Sequence, residues 1–415
     1  MNVVHGSKPL GLALLLAGAG CGSGNVGPLP AEPEVDEDVV SAASSAHRSM
    51  QAQFGDPLPG LAQADLDRFT AGLDEFEDDE TPAEGLGPVF NDTACARCHA
   101  SPAVGGSNAT VETRFGTVTN GHFDPMTQLG GSLIQVRGIG PAGSCDFVGE
   151  TVPPTATLVS GRRTTPLFGL GLVDAVPEST FSYVAGIERL LFPDEAGRVA
   201  MVHDIANDRT AVGRFGLKDQ VPTLHQFAGD AYLNEMGITN PEFPDENCPG
   251  GDCSLLACNP LSTLNDDGSG VTAFADFMTL LAPPPRKPLS AQAFAGKRVF
   301  ASIGCSHCHW ATFRTGRAAV DSLSLATFHP YSDFLLHEMG SLGDGIELGD
   351  AKGGEFRTAP LWGISVETHY LHDGRATTIQ DAVLAHDGQA KRARDRFAGL
   401  SARDQAALIA FVASL

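Results

Sequence analysis

Basic residues and long apolar runs are both scarce in this chain of 415 residues. Lys and Arg number 27 against 50 Asp and Glu, and the formal net charge is -23 at pH 7. This charge argues against nucleic acid or an anionic membrane surface as a partner, because both repel an acidic protein. The Gly-rich stretches, such as Gly138–Gly140, lack the strand and helix that flank a G-x-G-x-x-G nucleotide site, and no Ser/His/Asp arrangement stands out.

The N-terminus has the features of an export signal. Lys8 supplies a positive charge, and Leu10–Ala19 forms an apolar run too short to span a bilayer. Residues 1–20 are therefore predicted to be a signal peptide, and no later stretch has the length of a transmembrane helix. The small residues before Cys21 are similar to a bacterial lipobox, although Gly18 replaces the usual Leu. We expect a protein of the periplasm or cell envelope, touching the outer membrane only through a lipid on Cys21; simple secretion is the alternative.

Two strings, Cys95–His99 and Cys305–His309, read C-x-x-C-H, which is the attachment motif of c-type haem. In this motif the two thiols add to the porphyrin vinyl groups, and the adjacent histidine binds the iron. The sequence thus predicts two covalent haem c groups. The thioether residues are Cys95, Cys98, Cys305 and Cys308, and the proximal ligands are His99 and His309.

Zinc and dithiol chemistry are the alternatives for these cysteine pairs. A zinc ribbon places its two pairs about 15–20 residues apart, whereas 207 residues separate Cys98 from Cys305. A thioredoxin-like pair needs a βαβ context, which neither string has. Both alternatives are disfavoured.

Four cysteines remain after the haem motifs and Cys21 are set aside. In an oxidising compartment they predict two disulfides, with three connectivities open. Their spacing does not match an iron–sulfur motif. These residues are Cys145, Cys248, Cys253 and Cys258.

Composition divides the chain into a tether and two haem regions. Residues 21–63, rich in Gly, Pro and acidic residues, are predicted to be flexible. Leu66, Phe69, Leu73 and Phe76 then recur at helical spacing and open a first domain, 64–282. The acidic run from residue 75 to 80 is interpreted as a solvated loop, with calcium binding as an alternative that its spacing does not support.

The second haem region, 283–415, begins with three prolines that end the preceding helix. Ser290 is predicted to cap a helix that carries Phe300 and runs into Cys305. A capping box at Ser401 predicts a C-terminal amphipathic helix that ends near Leu415.

An internal repeat links the two regions. Arg163–Leu170 and Arg357–Ile364 share the pattern R-T-x-P-L-[FW]-G, and each follows its own haem motif. The repeat predicts a mostly α fold with two cytochrome c-like haem domains that arose by internal duplication. The first domain would carry a long, loop-rich insertion, roughly 172–282.

Several longer strings resemble the bacterial di-haem oxidoreductase family, whose members are labelled peroxidases or, in older usage, thiol oxidoreductases. The strings are T-P-L-F-G-L-G-L-V-D-A-V-P from Thr165, G-R-F-G-L-K from Gly213, N-E-M-G-I-T-N-P from Asn234, Y-S-D-F-L-L-H-E-M-G from Tyr331 and Y-L-H-D-G-R-A from Tyr370. More distantly, residues 357–389 resemble the second domain of di-haem cytochrome c peroxidases. The thiol label is disfavoured, because no redox dithiol remains once both C-x-x-C pairs hold porphyrin.

The distant resemblance implies the remaining iron ligands. In the peroxidases a Met after the H-D-G turn caps the second haem, and His386 stands at the matching place here. His386 is therefore the candidate sixth ligand for the haem of His309, with His337 and Met339 as competitors. A His in place of Met would lower the reduction potential of that haem. For the haem of His99 the candidates are His122, Met236 or an open, water-bound iron.

The resemblance implies an exported oxidoreductase of the di-haem peroxidase type. Electrons from a small redox protein would enter through the haem of His309 and reduce peroxide or another small oxidant at the haem of His99. The acidity of the chain suits a basic redox partner. The alternative is an electron-transfer cytochrome in which both irons are six-coordinate and nothing is catalysed.

Overall fold

The computed structural model describes residues 51–261 and 264–415, so the predicted signal peptide, Cys21 and most of the predicted tether lie outside the described residues. Residues 51–62 run as irregular chain. Leu58 is nevertheless buried, and its backbone N–H donates to the carbonyl of Leu280 at 2.8 Å. The backbone N–H of Ala282 donates to the backbone carbonyl of Asp56 at 3.0 Å. This part of the predicted tether therefore packs on the fold.

Helices and strands alternate along the described chain, so the fold is mixed and the prediction of a mostly α fold is not confirmed. The helices are α1 (Gln63–Glu77), α2 (Cys95–Cys98), α3 (Leu170–Asp174), α4 (Glu178–Leu191), α5 (Leu224–Met236), α6 (Ser269–Leu280), α7 (Ala291–Ser302), α8 (Ile379–Ala385), α9 (Lys391–Ala398) and α10 (Ala402–Val412). Within the described ranges, none of them is long and apolar enough to cross a membrane.

The strands are short, and some pair with a neighbour in sequence whereas others, such as β2 and β7, pair across a longer segment. They are β1 (Val89–Phe90), β2 (Val111–Thr119), β3 (His122–Asp124), β4 (Arg137–Gly138), β5 (Gly140–Ala142), β6 (Cys145–Phe147), β7 (Leu158–Arg163), β8 (Ala200–Asp204), β9 (Arg209–Gly213), β10 (Phe313–Arg314), β11 (Thr327–Phe328), β12 (Leu336–Glu338) and β13 (Glu355–Arg357). A three-stranded antiparallel sheet has the order β3-β2-β7, and the other strands form antiparallel pairs.

Helix α1 crosses α6 immediately before the first C-x-x-C-H motif. The predicted apolar positions fall on this helix, and Phe69 and Phe76 are buried. The crossing is close at Gly72, where a Cβ would lie 2.3 Å from the carbonyl oxygen of Ala273. Phe76 then lies 6.0 Å, ring to ring, from His99. The helix pair therefore supports the first motif from one side.

The second motif has an equivalent support in α7 and α10. Ser290 accepts a hydrogen bond from the N–H of Ala293 at 3.1 Å, so the predicted cap of α7 is confirmed. A Cβ on Gly296 would lie 1.9 Å from the carbonyl oxygen of Ala407, which lets α10 approach closely. Phe300, near the end of α7, lies 6.2 Å from His309.

Residues 172–282 contain regular elements as well as loops, so the prediction of a loop-rich insertion is not confirmed. The segment contains α4, α5, α6 and the β8–β9 hairpin. Its apolar residues enter the main core, where Phe181 is fully buried and lies 5.9 Å from Phe313. Because this core joins residues from both sides of residue 282, the predicted domain boundary at 282/283 stays a prediction.

Two disulfides lie within residues 64–282, the predicted first domain. Cys145, on β6, pairs with Cys258 across 113 residues, and Cys248 pairs with Cys253 across 5. This is one of the three connectivities that the sequence leaves open. The longer bridge ties the β5–β6 hairpin to the segment before α6.

Candidate haem sites

Each C-x-x-C-H motif lines a cavity of its own. The cavity that contains Cys95, Cys98 and His99, here called the His99 cavity, has a volume of about 220 Å³. The cavity that contains Cys305, Cys308 and His309, the His309 cavity, has a volume of about 320 Å³. The predicted haem residues are thus brought together in two separate places.

The motif histidines are oriented alike. His99 donates its Nδ1–H to the carbonyl of Gly106 at 3.1 Å, and His309 donates its Nδ1–H to the carbonyl of Tyr331 at 2.8 Å. A ring held in this way carries its proton on Nδ1 and offers Nε2 to a metal. Burial lowers the pKa of both imidazoles to about 4, so both are neutral at pH 7. Neutral imidazole is the form that binds iron.

The four motif thiols are unpaired, whereas the other cysteines of the described residues form the two disulfides. Burial raises the pKa of Cys95 and of Cys305 to about 12 and that of Cys98 to about 11. A reactive dithiol needs a low thiol pKa, and these thiols have the opposite character. They fit thioether attachment better than dithiol exchange.

His337, His369, His372 and His386 also line the His309 cavity, and His386 is the predicted ligand among them. Helix α8 is capped by Thr378, whose hydroxyl accepts from the N–H of Asp381 at 3.0 Å, and it ends at Ala385. The next residue, His386, donates its Nδ1–H to the carbonyl of Ala382 at 2.7 Å. Its Nε2 is thereby left to bind iron, as in His309. The structure places the two histidines in one cavity.

The two competitors for the same iron differ. Met339 lines the His309 cavity, and its thioether sulfur is a possible iron ligand. His337 is buried, and both ring nitrogens are engaged: Nε2 lies 2.9 Å from Oδ2 of Asp333, and Nδ1 lies 3.7 Å from Sγ of Cys308. His337 is therefore held as a support of the motif rather than offered to the iron.

Cys308, Asp333 and His337 also form a group whose ligand atoms lie within 4.8 Å of one another, the one such group in the described part of the chain. Porphyrin on Cys308 would turn this thiol into a thioether, a much weaker metal ligand. Within residues 51–261 and 264–415, the acidic run from residue 75 to 80 contributes no such group.

The two candidates for the first iron have different positions. Met236, the last residue of α5, is buried and lines the His99 cavity. His122 is exposed on β3 and is not among the described residues that line either cavity. The structure thus brings Met236, but not His122, to the first motif.

A comparison with protein-family models matches residues 152–415 to the family described as "Di-haem oxidoreductase, putative peroxidase". The chain belongs to the di-haem oxidoreductase family. The neutral histidines, the unpaired thiols and the two cavities fit the two haems that the family name implies. The resemblance seen in the sequence is therefore confirmed.

Solved structures similar to this di-haem oxidoreductase include hydrazine synthase from Kuenenia stuttgartiensis, with 14% identity over 99% of this chain and 100% of that chain and a TM-score of 0.41. A MauG-like protein associated with microbial copper homeostasis has 13% identity, coverages of 88% and 94%, and a TM-score of 0.39. The diheme peroxidase BthA from Burkholderia thailandensis has 14% identity, coverages of 84% and 86%, and a TM-score of 0.40. Likeness at this level supports no functional inference. Curated proteins give no match.

Acidic side chains of this di-haem oxidoreductase line the His99 cavity, and the sequence did not single them out. Burial raises the pKa of Glu235 to about 7 and that of Asp230 to about 6. Asn91 donates to Glu235 at 2.6 Å and fixes its carboxylate. Arg114 and Glu112, which pair with each other, line the same cavity. The available signal was the pair of acidic residues, Asp230 and Glu235, on a helix that also carries the apolar residues Phe227, Leu233 and Met236.

The two cavities share a wall. Arg163, Thr164, Thr165 and Leu217 line both of them. Three of these residues come from the first repeat motif, and the N–H of Arg357, which opens the second repeat motif, donates to the carbonyl of Leu217 at 2.9 Å. The repeat therefore lies between the two candidate haem sites. Trp362 lines the His309 cavity alone.

Proposed function

We propose that this protein is a peroxidase-like di-haem cytochrome c. The residues around His309 would hold a haem that accepts electrons from a small redox protein, and the residues around His99 would hold a haem that reduces peroxide. A difference between the two cavities carries the proposal: His386, whose Nε2 is left for ligation, lines the His309 cavity, and Asp230 and Glu235, whose pKa values burial raises to about 6 and about 7, line the His99 cavity. A haem supplies an iron that binds peroxide or exchanges electrons, according to its sixth ligand.

In the His309 cavity, His309 and His386 would be the residues that hold the iron. His309 and His386 each hold the Nδ1 proton in a backbone hydrogen bond and leave Nε2 for ligation. Two imidazole ligands leave no position for a substrate and favour the oxidised iron relative to a His–Met pair. This cavity suits electron transfer.

In the His99 cavity the protein can supply protons. Reduction of peroxide to two waters consumes two electrons and two protons. Asp230 and Glu235 line this cavity, and the Asn91 amide holds the Glu235 carboxylate. A carboxylic acid within reach of the leaving oxygen can donate the proton that oxygen needs. Electrons would arrive across the wall formed by Arg163, Thr165 and Leu217.

The duplication is part of this proposal. Before each motif, a helix crosses its partner at a glycine, Gly72 or Gly296, and then presents a phenylalanine about 6 Å from the motif histidine. Two independent supports with the same construction favour two cytochrome c-like domains that arose by duplication.

We also infer export and lipid anchoring through Cys21. Support comes from the apolar run before Cys21 and from the two disulfides, because disulfides persist in oxidising compartments. Cys21→Ser should move the mature protein from the membrane fraction to the soluble fraction. Retention of this variant in washed membranes would exclude the anchor.

Spectroscopy of the full-length holoprotein tests the proposed function. The ferric protein should show one low-spin haem and one high-spin haem by electron paramagnetic resonance, and it should consume hydrogen peroxide with ascorbate as a small-molecule donor. Two low-spin haems and no peroxide consumption would contradict the proposal.

One observation favours a second function, an electron-transfer cytochrome without catalysis. Met236 is buried and lines the His99 cavity, where its sulfur can complete the coordination of the first iron. Met236→Leu separates the two functions. A low-spin signal that becomes high-spin in this variant identifies the carrier, and an unchanged high-spin signal identifies the peroxidase.

A further inference from the structure

The chain has one face near the His309 cavity whose charge is opposite to that of the whole protein. Helix α9 carries four basic residues and one acidic residue, in a chain of formal net charge -23. Lys391, Arg392 and Arg396 are exposed and are called the basic patch below. The side chains of Lys391 and Arg392 are 56% and 62% exposed.

The basic patch lies on a helix that lines the His309 cavity. Ala393 and Arg394, on the same helix, line the His309 cavity, whereas Lys391 and Arg392 do not. A protein docked on the outer face of α9 would therefore lie about one helix diameter, about 10 Å, from the cavity.

The basic patch is also joined to the haem motif itself. Glu195 accepts from Nδ1 of His307, inside the second C-x-x-C-H string, at 2.5 Å, and its other oxygen lies 3.7 Å from Arg392. Arg396 donates to the carbonyl of Ile303, two residues before Cys305, at 3.2 Å. The patch is thus fixed to the backbone that would carry the porphyrin.

Apolar surface adjoins the basic patch. The ring of Phe192, which follows α4, stacks on the ring of His307 at 3.5 Å. The two residues before it, Leu190 and Leu191, are 76% and 52% exposed. Exposed apolar side chains next to several basic side chains are typical of a transient protein interface.

We propose that the basic patch and Leu190–Leu191 form the docking surface for a small electron-carrier protein whose own docking face is acidic. This proposal rests on the proposed passage of electrons through the haem of His309. It reverses the basic partner expected from net charge, because steering at short range follows the local patch rather than the whole-chain charge. Three of the basic side chains pair with Asp395, Asp387 or Glu195, yet three cations and one carboxylate of α9 remain exposed.

The test is electron transfer between the full-length holoprotein and two carrier proteins of opposite charge. The dithionite-reduced holoprotein is mixed, without peroxide, with oxidised plastocyanin, an acidic copper protein, or with oxidised mitochondrial cytochrome c, a basic protein. The double variant Lys391→Glu/Arg392→Glu reverses the patch. Arg317→Glu, at an exposed position that lines neither cavity, is the matched control.

The double variant should slow transfer to plastocyanin by about tenfold at low ionic strength and accelerate transfer to cytochrome c. Arg317→Glu should change both transfer rates less than about twofold. The neutral variant Lys391→Gln/Arg392→Gln should give transfer rates between those of the double variant and the wild type. A plastocyanin rate that the double variant leaves unchanged would overturn the proposal, as would equal effects of the double variant and Arg317→Glu.

Failure of the docking proposal and failure of the proposed function are distinguishable. Peroxide consumption with ascorbate requires no docked protein and should be unchanged in the double variant, because neither residue lines a cavity. An unchanged visible spectrum shows that the loss of the Arg392–Glu195 contact has not altered the haem. If the wild type does not consume peroxide, the peroxidase function is excluded. The rates of electron transfer to the two carrier proteins then still test the docking proposal.

Discussion

His309 and His386 line one cavity, and each uses its Nδ1 proton in a hydrogen bond to a backbone carbonyl, at 2.8 and 2.7 Å. Two imidazoles prepared in the same way predict a bis-histidine haem. Because Met ligation favours the reduced iron, His386→Met should raise the reduction potential of one haem and leave the other unchanged. A potentiometric titration checks this. His203→Met, at an exposed position on β8, is the control; a potential that moves equally in both variants, or in neither, would contradict the assignment.

The carboxyl groups of the His99 cavity should limit peroxide turnover. Glu235→Gln and Asp230→Asn keep the shape of each side chain but remove the proton that it can donate. Loss of the proton donor should lower kcat for peroxide by about 100-fold or more. Electron transfer between the haems, measured by reduction in the absence of peroxide, should be unaffected.

Glu178→Gln, at the start of α4 and away from both cavities, serves as the control for these variants. If Glu235→Gln and Asp230→Asn both retain the kcat of this control, neither residue is the proton donor.

Replacing the glycine at the α7–α10 crossing, Gly296, by alanine should destabilise the protein. A Cβ at Gly296 would lie 1.9 Å from the carbonyl oxygen of Ala407. Gly296→Ala must separate the two helices and should lower the free energy of unfolding by about 1–3 kcal/mol. Gly186→Ala, on α4 with open space around the new Cβ, should instead be neutral or raise it by about 0.5–1 kcal/mol. Denaturant unfolding of both variants measures the difference; equal effects would show that the crossing is not tight.

Glu246 should make stability fall with rising pH. Burial raises its pKa from 4.5 to about 8, and its Oε2 has no hydrogen-bond partner. Between these values the folded protein keeps the proton that the unfolded chain releases, so stability decreases as pH rises through this window. Glu246→Gln should therefore raise the melting temperature relative to the wild type, by an amount that grows from pH 4.5 to pH 8 and is constant above it. A gain that does not depend on pH would contradict this reading.

Local patterns in the sequence predict the helices that support the haem motifs. The repeat of Leu66, Phe69 and Phe76 gives α1, and the Ser290 and Ser401 caps give α7 and α10, because helix periodicity and capping are properties of neighbouring residues. The sheets were not predicted. Strand β2 pairs with β7 across an intervening segment that contains β3 to β6, and such pairing leaves no local signature.

In the candidate site, too, features set by neighbouring residues were predictable and features set by long-range packing were not. The motif residues are adjacent in sequence, so their grouping is evident from the string itself. The acid groups near His99 come from α5, more than a hundred residues later, and only tertiary packing brings them to the cavity. His122 shows the reverse, because it follows His99 by 23 residues yet lies exposed on β3. Separation along the chain is a poor guide to distance in a fold built from long-range contacts.

Covalent haem at both motifs is the central claim, and haem quantification tests it most directly. Protein matured in a host that assembles c-type cytochromes, precipitated in acidified acetone and assayed as the pyridine haemochrome, should retain two haems per chain. Cys305→Ser/Cys308→Ser should retain one, and Cys95→Ser/Cys98→Ser should also retain one. Pigment that passes into the acetone, or a wild-type protein without haem, would contradict the account.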